Sequence, residues 1–293
     1  MPRSNLILET APAKVNLSLR VLGRRADGYH EIESLVMFAR SAADQVRFTP
    51  GREPKLNLSG PFASALKGTN IVETVLARIF DVVPDIQLGE VSLDKRLPVA
   101  SGVGGGSADA AAVLRALRVA NADLASTVDW VGSATALGAD VPMCLESRAC
   151  FVRGVGTEVL PLSDFPPLAI VLANSLVEMP SDKTAQVFKR LAAPEYQTGG
   201  SDEPRTCFSS RDDLIAYVAS VGNDLTSPAL SLAPQISDVV RELSANHGCR
   251  YAALSGAGPT CFGLYDDLQT AKEAAMVLTA RRPDWWVVAS ELG

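Results

Sequence analysis

The sequence predicts an α+β fold in two domains, and three observations carry that prediction. A chain of 293 residues, 47% hydrophobic and 20% charged, has the length for two cores and the composition of a folded protein. Phe165-Pro166-Pro167 interrupts the pattern and marks a boundary, dividing the chain into domains 1–163 and 164–293. Beyond it, element signals follow in the order strand, helix, strand, strand, helix, strand, which is a split βαβ, ferredoxin-like arrangement.

In chain order, residues 6–9 and 14–21 alternate apolar and polar side chains, with Val15, Leu17, Leu19 and Val21 on one face, and read as strands. Residues 23–28 are a turn-rich connection. Strands are expected at 32–38, 45–48 and 55–59, then a helix over 70–83 whose apolar period runs through Ile71, Val75, Leu76 and Ile79. A strand at 91–95 leads into a glycine-rich loop, followed by helices at 107–120 and 126–137 and strands at 143–145, 149–152 and 158–161. The second domain is expected to hold a strand at 168–173, a helix at 184–191 and a loose, mobile segment at 194–204. Helices at 211–221 and 234–246, strands at 251–255 and 261–265, a helix at 268–279 and a strand at 285–289 complete it. No internal repeat is visible.

The glycine-rich loop is the strongest chemical signal. Gly102, Gly104, Gly105 and Gly106 run into an alanine-rich segment of high helix propensity. Without Cβ atoms, these residues let backbone N–H groups close on a ligand, and the helix adds the positive end of its dipole. Pro98, Ser101, Gly102, Val103, Gly104, Gly105, Gly106 and Ser107 therefore compose an anion site suited to a phosphate chain. No lysine follows Gly106, so this is not a P-loop. Ser107 stands where a dinucleotide fingerprint needs its third glycine. A plain flexible loop ahead of a helix is the alternative for the cluster taken alone.

Net charge is −6 and no lysine or arginine run occurs, so there is no general footprint for nucleic acid. The five cysteines are scattered without a Cys-x-x-Cys and only two histidines accompany them, which argues against a zinc cage. Buried free thiols in a reducing cytoplasm are the expectation. No apolar run approaches eighteen residues and no signal peptide is evident, so a cytoplasmic chain without a membrane span is expected.

Two further segments bear on chemistry. Ser255-Gly256-Ala257-Gly258-Pro259-Thr260 is either a hairpin-like connection or a second set of backbone donors for a phosphate. Gly138-Ala139-Asp140-Val141-Pro142 is read as a carboxylate at a helix end just before a strand, where the dipole opposes its charge. A compensating cation is expected, and Lys14, which interrupts an apolar strand, is the candidate.

Together these segments resemble the motifs of the galacto-, homoserine, mevalonate and phosphomevalonate (GHMP) kinases. All three motifs occur in the family's order: Ala11-Pro12-Ala13-Lys14-Val15-Asn16-Leu17, then Pro98 to Ala108, then Ser255 to Thr260. Gly23-Arg24-Arg25-Ala26-Asp27-Gly28-Tyr29-His30-Glu31 narrows the resemblance to a branch whose acceptor carries cytidine diphosphate, and residues 70–72, 94–98 and 138–142 also fit. The resemblance implies an N-terminal ribosomal-protein-S5-like domain bearing the glycine loop and a C-terminal ferredoxin-like domain, with the active site in the cleft. It implies ATP as phosphoryl donor and, as acceptor, the 2-hydroxyl of a cytidine diphosphate derivative of methylerythritol. Gly105 stands where many members carry a metal-holding serine, so Mg2+ is expected to be held mainly by phosphates and water.

Within that resemblance, Asp140 would take or orient the hydroxyl proton and Lys14 would offset charge on it and on the transferring group. Asn16 would fix the acceptor. Tyr29 and His30 would receive the pyrimidine, with Phe188 as an opposing aromatic face and Thr184 beside it. Lys95 and Asn70 would lie on the adenine and ribose side. A monomer or weak homodimer is expected. The open alternatives are a kinase for another small alcohol of the homoserine or mevalonate type, a non-catalytic nucleotide-binding module and a dehydrogenase.

Overall fold

A computed structural model describes residues 6–162, 164–180, 182–197 and 203–293. Residues 198–202, the centre of the expected loose segment, lie outside the described residues. The chain divides into two compact units: residues 1–13, 43–99 and 104–147 form one, and residues 14–42, 100–103 and 148–293 the other.

Two long strands, β1 (Ile7–Arg24) and β2 (His30–Thr49), replace the four short ones read from the sequence. Every residue from Ala11 to Leu19 is buried, so both faces of β1 are covered there and the alternation that sequence reading relies on is not required. The exposed pair Arg40 and Ser41 falls within β2 without ending it.

In the first unit, the end of β2 pairs antiparallel with β4 (Glu90–Asp94), setting Val46 opposite Leu93, and β4 pairs parallel with β3 (Lys55–Ser59). Helix α1 (Ile71–Val82) starts at a capping box: the Asn70 side chain accepts from the Val72 N–H, and Glu73 reaches back to the Asn70 N–H. Helix α2 (Gly105–Ala120) buries Ala108 to Leu114, Ala116 and Leu117, so it is the core helix of this unit. Its C-terminal end is closed by buried Asn121. That side chain accepts the Gln87 N–H at 2.8 Å and donates to Gln87 O at 3.1 Å and Leu117 O at 2.9 Å.

Two sequence expectations fail in this unit. Helix α3 spans only Trp130–Thr135, because turns occupy residues 121–127 and Asp129 caps the helix afresh. Residues 143–145, expected as a strand, lie in helix α4 (Val141–Glu146), with Asp140 before it and proline in its first turn. Three apolar residues cannot display a period, whereas an acidic residue followed by proline is a helix-start signal. Asp140 thus sits at a helix N-terminal end, where the dipole favours its charge, and the predicted need for a compensating cation on that ground disappears.

In the second unit, the first part of β2 pairs antiparallel with β5 (Cys150–Gly154), which pairs with β6 (Glu158–Pro161). A four-stranded sheet follows from β7 (Ala169–Asn174), β8 (Tyr251–Leu254), β9 (Cys261–Tyr265) and β10 (Trp286–Glu291). Its order, β10-β7-β9-β8, with all neighbours antiparallel, is the split βαβ arrangement expected. Helices α5 (Lys183–Leu191) and α6 (Arg211–Val221) follow β7, then α7 (Thr226–Leu232), which the sequence reading missed. Proline in the first turn of α7 reads as a breaker when it is a starter. Helices α8 (Ile236–Ser244) and α9 (Leu268–Arg281) pack on the sheet, and Ile236, Val239, Leu243 and Leu278 join Val171 and Tyr265 in its core.

No disulfide joins the five cysteines. Cys144, Cys150 and Cys261 are buried as expected, but Cys207 is exposed and Cys249 half-buried. Among the described residues, no helix is long and apolar enough to cross a membrane. Asn121→Ala is expected to destabilise the chain by about 1–3 kcal/mol for the Gln87 amide it orphans, read as a lower urea midpoint at unchanged slope.

Candidate active site

In the second unit, residues 100–103 of the glycine loop are tied on both sides. The Lys14 N–H on β1 donates to Val103 O at 2.8 Å, and the Thr260 N–H donates to Ser101 O at 3.0 Å. Gly102 has φ +84°, and a Cβ there would collide with the Gly258 carbonyl oxygen, so glycine is required by close backbone approach. The 255–260 turn closes on itself: the Ser255 N–H donates to Thr260 O and the Gly258 N–H to Ser255 O, each at 3.0 Å. Asn174 of β7 donates to Thr260 Oγ1 at 2.9 Å. That turn is the β8–β9 connection, as the hairpin-like reading expects, and it is tied to the glycine loop through Ser101.

Lys14 is 7% exposed, and its Nζ donates to Asn16 Oδ1 at 3.0 Å. Asn16 Nδ2 donates to Ser34 Oγ at 2.7 Å, which in turn donates to Ser18 O at 2.6 Å. The Asn16 backbone N–H donates to Ser255 Oγ at 3.1 Å. A buried ammonium needs partners, and this chain of bonds fixes where it points. A second lysine, Lys183 at the start of α5, is 5% exposed and donates through Nζ to Gly258 O. Burial and the neighbouring Lys14 charge lower its pKa to about 8. The sequence reading passed over it. Its one signal was a cation at the first position of a helix, where the dipole opposes positive charge.

At the start of β2, the His30 ring stacks on Phe188 of α5, with centroids 4.7 Å apart and planes 27° apart. Burial and the Arg24 charge lower the His30 pKa, so at pH 7 its imidazole is neutral and offers one donor and one acceptor. Tyr29, 66% exposed, ends a turn in which the Arg25 N–H donates to Tyr29 O at 2.7 Å and the Tyr29 N–H to Asp27 Oδ1 at 3.0 Å. Thr184 is exposed four residues before Phe188, on the same helix.

In the first unit, Gly104 in a left-handed conformation (φ 66°) caps α2, which starts two residues earlier than predicted. The first intrahelical bond runs from the Ala108 N–H to Gly104 O, so the helix itself does not use the N–H groups of Gly105, Gly106 and Ser107. Beneath them, Lys95 is 2% exposed and donates to Asp44 and, at 2.8 Å, to Asp109 of α2. Asp44 also accepts the Arg96 and Leu97 N–H groups. Lys95 is therefore a buried strut and Asn70 a helix cap, while Pro98 lies buried at the loop entrance. Burial holds the Asp109 carboxyl well above the ordinary carboxylate range, although Lys95 pulls the other way.

A Cβ at Gly105 would lie 3.1 Å from Lys95 Nζ, so a serine there would crowd the strut. Among the described residues, no group of three His, Cys, Asp or Glu side chains is placed to hold a metal ion.

Because Asp109 binds its proton more tightly folded than unfolded, its contribution to stability is present at low pH and lost as pH rises from 3.8 through the raised value. Urea unfolding from about pH 4 to pH 9 is expected to show the wild type losing stability relative to Asp109→Asn as pH rises.

Comparison with known proteins gives the family. Residues 70–148 match the family described as the GHMP kinases N terminal domain, and residues 213–282 match GHMP kinases C terminal. A 4-diphosphocytidyl-2-C-methyl-D-erythritol kinase from Parvibaculum lavamentivorans is 45% identical over 293 residues, 99% of each chain. A crystal structure of 4-(cytidine 5'-diphospho)-2C-methyl-D-erythritol kinase is 32% identical, with TM-score 0.75 over 98% of this chain and 99% of that one. A homoserine kinase from Cytophaga hutchinsonii, 16% identical with TM-score 0.68 over 99% of this chain and 96% of its own, shares the fold. The chain is thus a small-molecule phosphotransferase, and it belongs to the GHMP kinase family and, within it, to the 4-diphosphocytidyl-2-C-methyl-D-erythritol kinases.

Proposed function

We propose that this chain transfers the γ-phosphoryl group of ATP to the 2-hydroxyl of 4-diphosphocytidyl-2-C-methyl-D-erythritol. The observation that carries the reading is the network joining the Lys14 segment, residues 101–103 and the 255–260 turn. The similarity to kinases bearing that substrate's name supports the choice of acceptor. In this reading domain 1–163 binds ATP and domain 164–293 completes the acceptor site. The enzyme acts in the cytoplasm as a monomer or weak homodimer, with no nucleic acid or membrane partner.

The acceptor oxygen attacks the γ-phosphorus, the bond to the β-phosphate bridging oxygen breaks, and ADP leaves. Asp140 accepts the hydroxyl proton. Lys14, aimed by Asn16, stabilises charge on the transferring group. Backbone N–H groups of 102–107, with the positive end of α2, hold the donor phosphates. Lys95 and Asn70 serve the adenine and ribose side by fixing the shape of the loop and of α1. Neutral His30 pairs its donor and acceptor with the pyrimidine, Tyr29 and Phe188 supply stacking faces, and Thr184 lines the same helix. Magnesium belongs to this reading only with the nucleotide, held by its phosphates and water.

Mass analysis of the cytidyl alcohol after incubation with ATP and magnesium tests the reading. One added phosphate is expected there and none on homoserine or mevalonate, and the opposite preference refutes the acceptor. Asp140→Asn is expected to lower turnover by about 10²–10⁴ while nucleotide affinity holds. Tyr29→Ala should raise the acceptor KM far more than the KM for ATP, consistent with loss of about 1–3 kcal/mol of base stacking. Steady-state kinetics with each substrate varied separates the two.

A further inference from the structure

Lys183 is the buried cation to which the roles above give no work. Among the described residues its Nζ donates to Gly258 O alone, although an ammonium carries three N–H donors. Among the described residues no carboxylate lies within ion-pair distance of it, and the charge that acts on it is another cation, Lys14. Burial, a like charge and the N-terminal end of α5 all disfavour an ammonium at this point. Lys95 offers the contrast: equally buried, it is satisfied by the carboxyl groups of Asp44 and Asp109. What Lys183 lacks, an anion with several oxygen acceptors would supply.

We propose that Lys183 binds a phosphoryl oxygen of the bound substrates, forming with Lys14 a two-lysine clamp whose second anchor is the Gly258 carbonyl. The inference rests on the kinase reading of the same site and adds to it a binding residue. Phosphate oxygens reach the site from two sources, the donor's terminal phosphate and the acceptor's diphosphate. Phe188, which stacks on His30, lies five residues further along α5, about 7.5 Å of helix rise from Lys183. One helix therefore carries both a ring for a base and a cation for a phosphate. A pKa lowered to about 8 keeps much of the side chain protonated at neutral pH, and an arriving anion would complete that protonation.

Isothermal titration of the full chain tests the clamp, using wild type, Lys183→Met and Lys183→Arg against cytidine, CDP and a non-hydrolysable ATP analogue with magnesium. The expected result is a loss of about 10- to 100-fold in Lys183→Met for at least one phosphate ligand, the usual scale for a hydrogen bond to a charged group. Cytidine affinity should stay within about twofold, and Lys183→Arg should recover most of the loss. A loss confined to CDP assigns the acceptor's diphosphate, one confined to the ATP analogue assigns the donor, and loss for both with cytidine spared assigns a shared contact. Unchanged affinity for both phosphate ligands overturns the proposal. So does an equal loss for cytidine and CDP, which marks a merely structural lysine. If Lys183→Met does not fold, Lys183→Gln, which keeps an N–H donor for Gly258, carries the same comparison. Wild type that binds the ATP analogue but not CDP refutes the acceptor instead, and Lys183 is then judged on the ATP analogue alone.

Discussion

Two backbone hydrogen bonds, Lys14 N–H to Val103 O and Thr260 N–H to Ser101 O, set the path of the glycine loop. Between their acceptors lies Gly102, pressed so closely on Gly258 that no side chain fits. A loop of glycines left to itself spends conformational entropy on every ligand it orders. Strung between β1 and the 255–260 turn, it is held in shape before any ligand arrives, and that preorganisation is what a phosphate cradle needs.

Three buried lysines show how differently one residue type is used. Lys95 shares its charge with Asp44 and Asp109 and props the first turn of α2, so its contribution is to shape. Lys14 is aimed by Asn16, itself fixed through Ser34 and Ser255, which gives it the fixed direction that its proposed role at the transferring group requires. Among the described residues, the Lys183 ammonium has a single carbonyl acceptor and a like charge for a neighbour. The distinction lies in what each ammonium is offered by the protein, and the one offered least is best explained by a ligand.

Tertiary contact also changes how the residues proposed to receive the base are understood. His30 and Phe188 lie 158 positions apart in the chain, yet their rings stack face to face, and burial keeps His30 neutral. A neutral imidazole held against an aromatic ring presents a fixed donor–acceptor edge, a better match to a pyrimidine than a mobile imidazolium would be. Tyr29 remains exposed beside it at the end of its turn.

Local signals made much of this protein legible. The apolar period through Ile71, Val75, Leu76 and Ile79 located α1, and the order of elements after residue 165 pointed to the split βαβ sheet. Motif spacing singled out the glycine loop and its two companion segments. Where only a few residues spoke, reading failed: residues 143–145 became a helix because Asp140 and Pro142 outweighed three apolar side chains, β1 continues where both its faces are covered, and β2 runs on through the exposed Arg40 and Ser41. The duties of Lys95 and Lys183 were beyond any sequence window. Asp44 stands 51 residues from Lys95 and Gly258 stands 75 from Lys183, and a side chain's protonation and partners are set by what folding brings beside it.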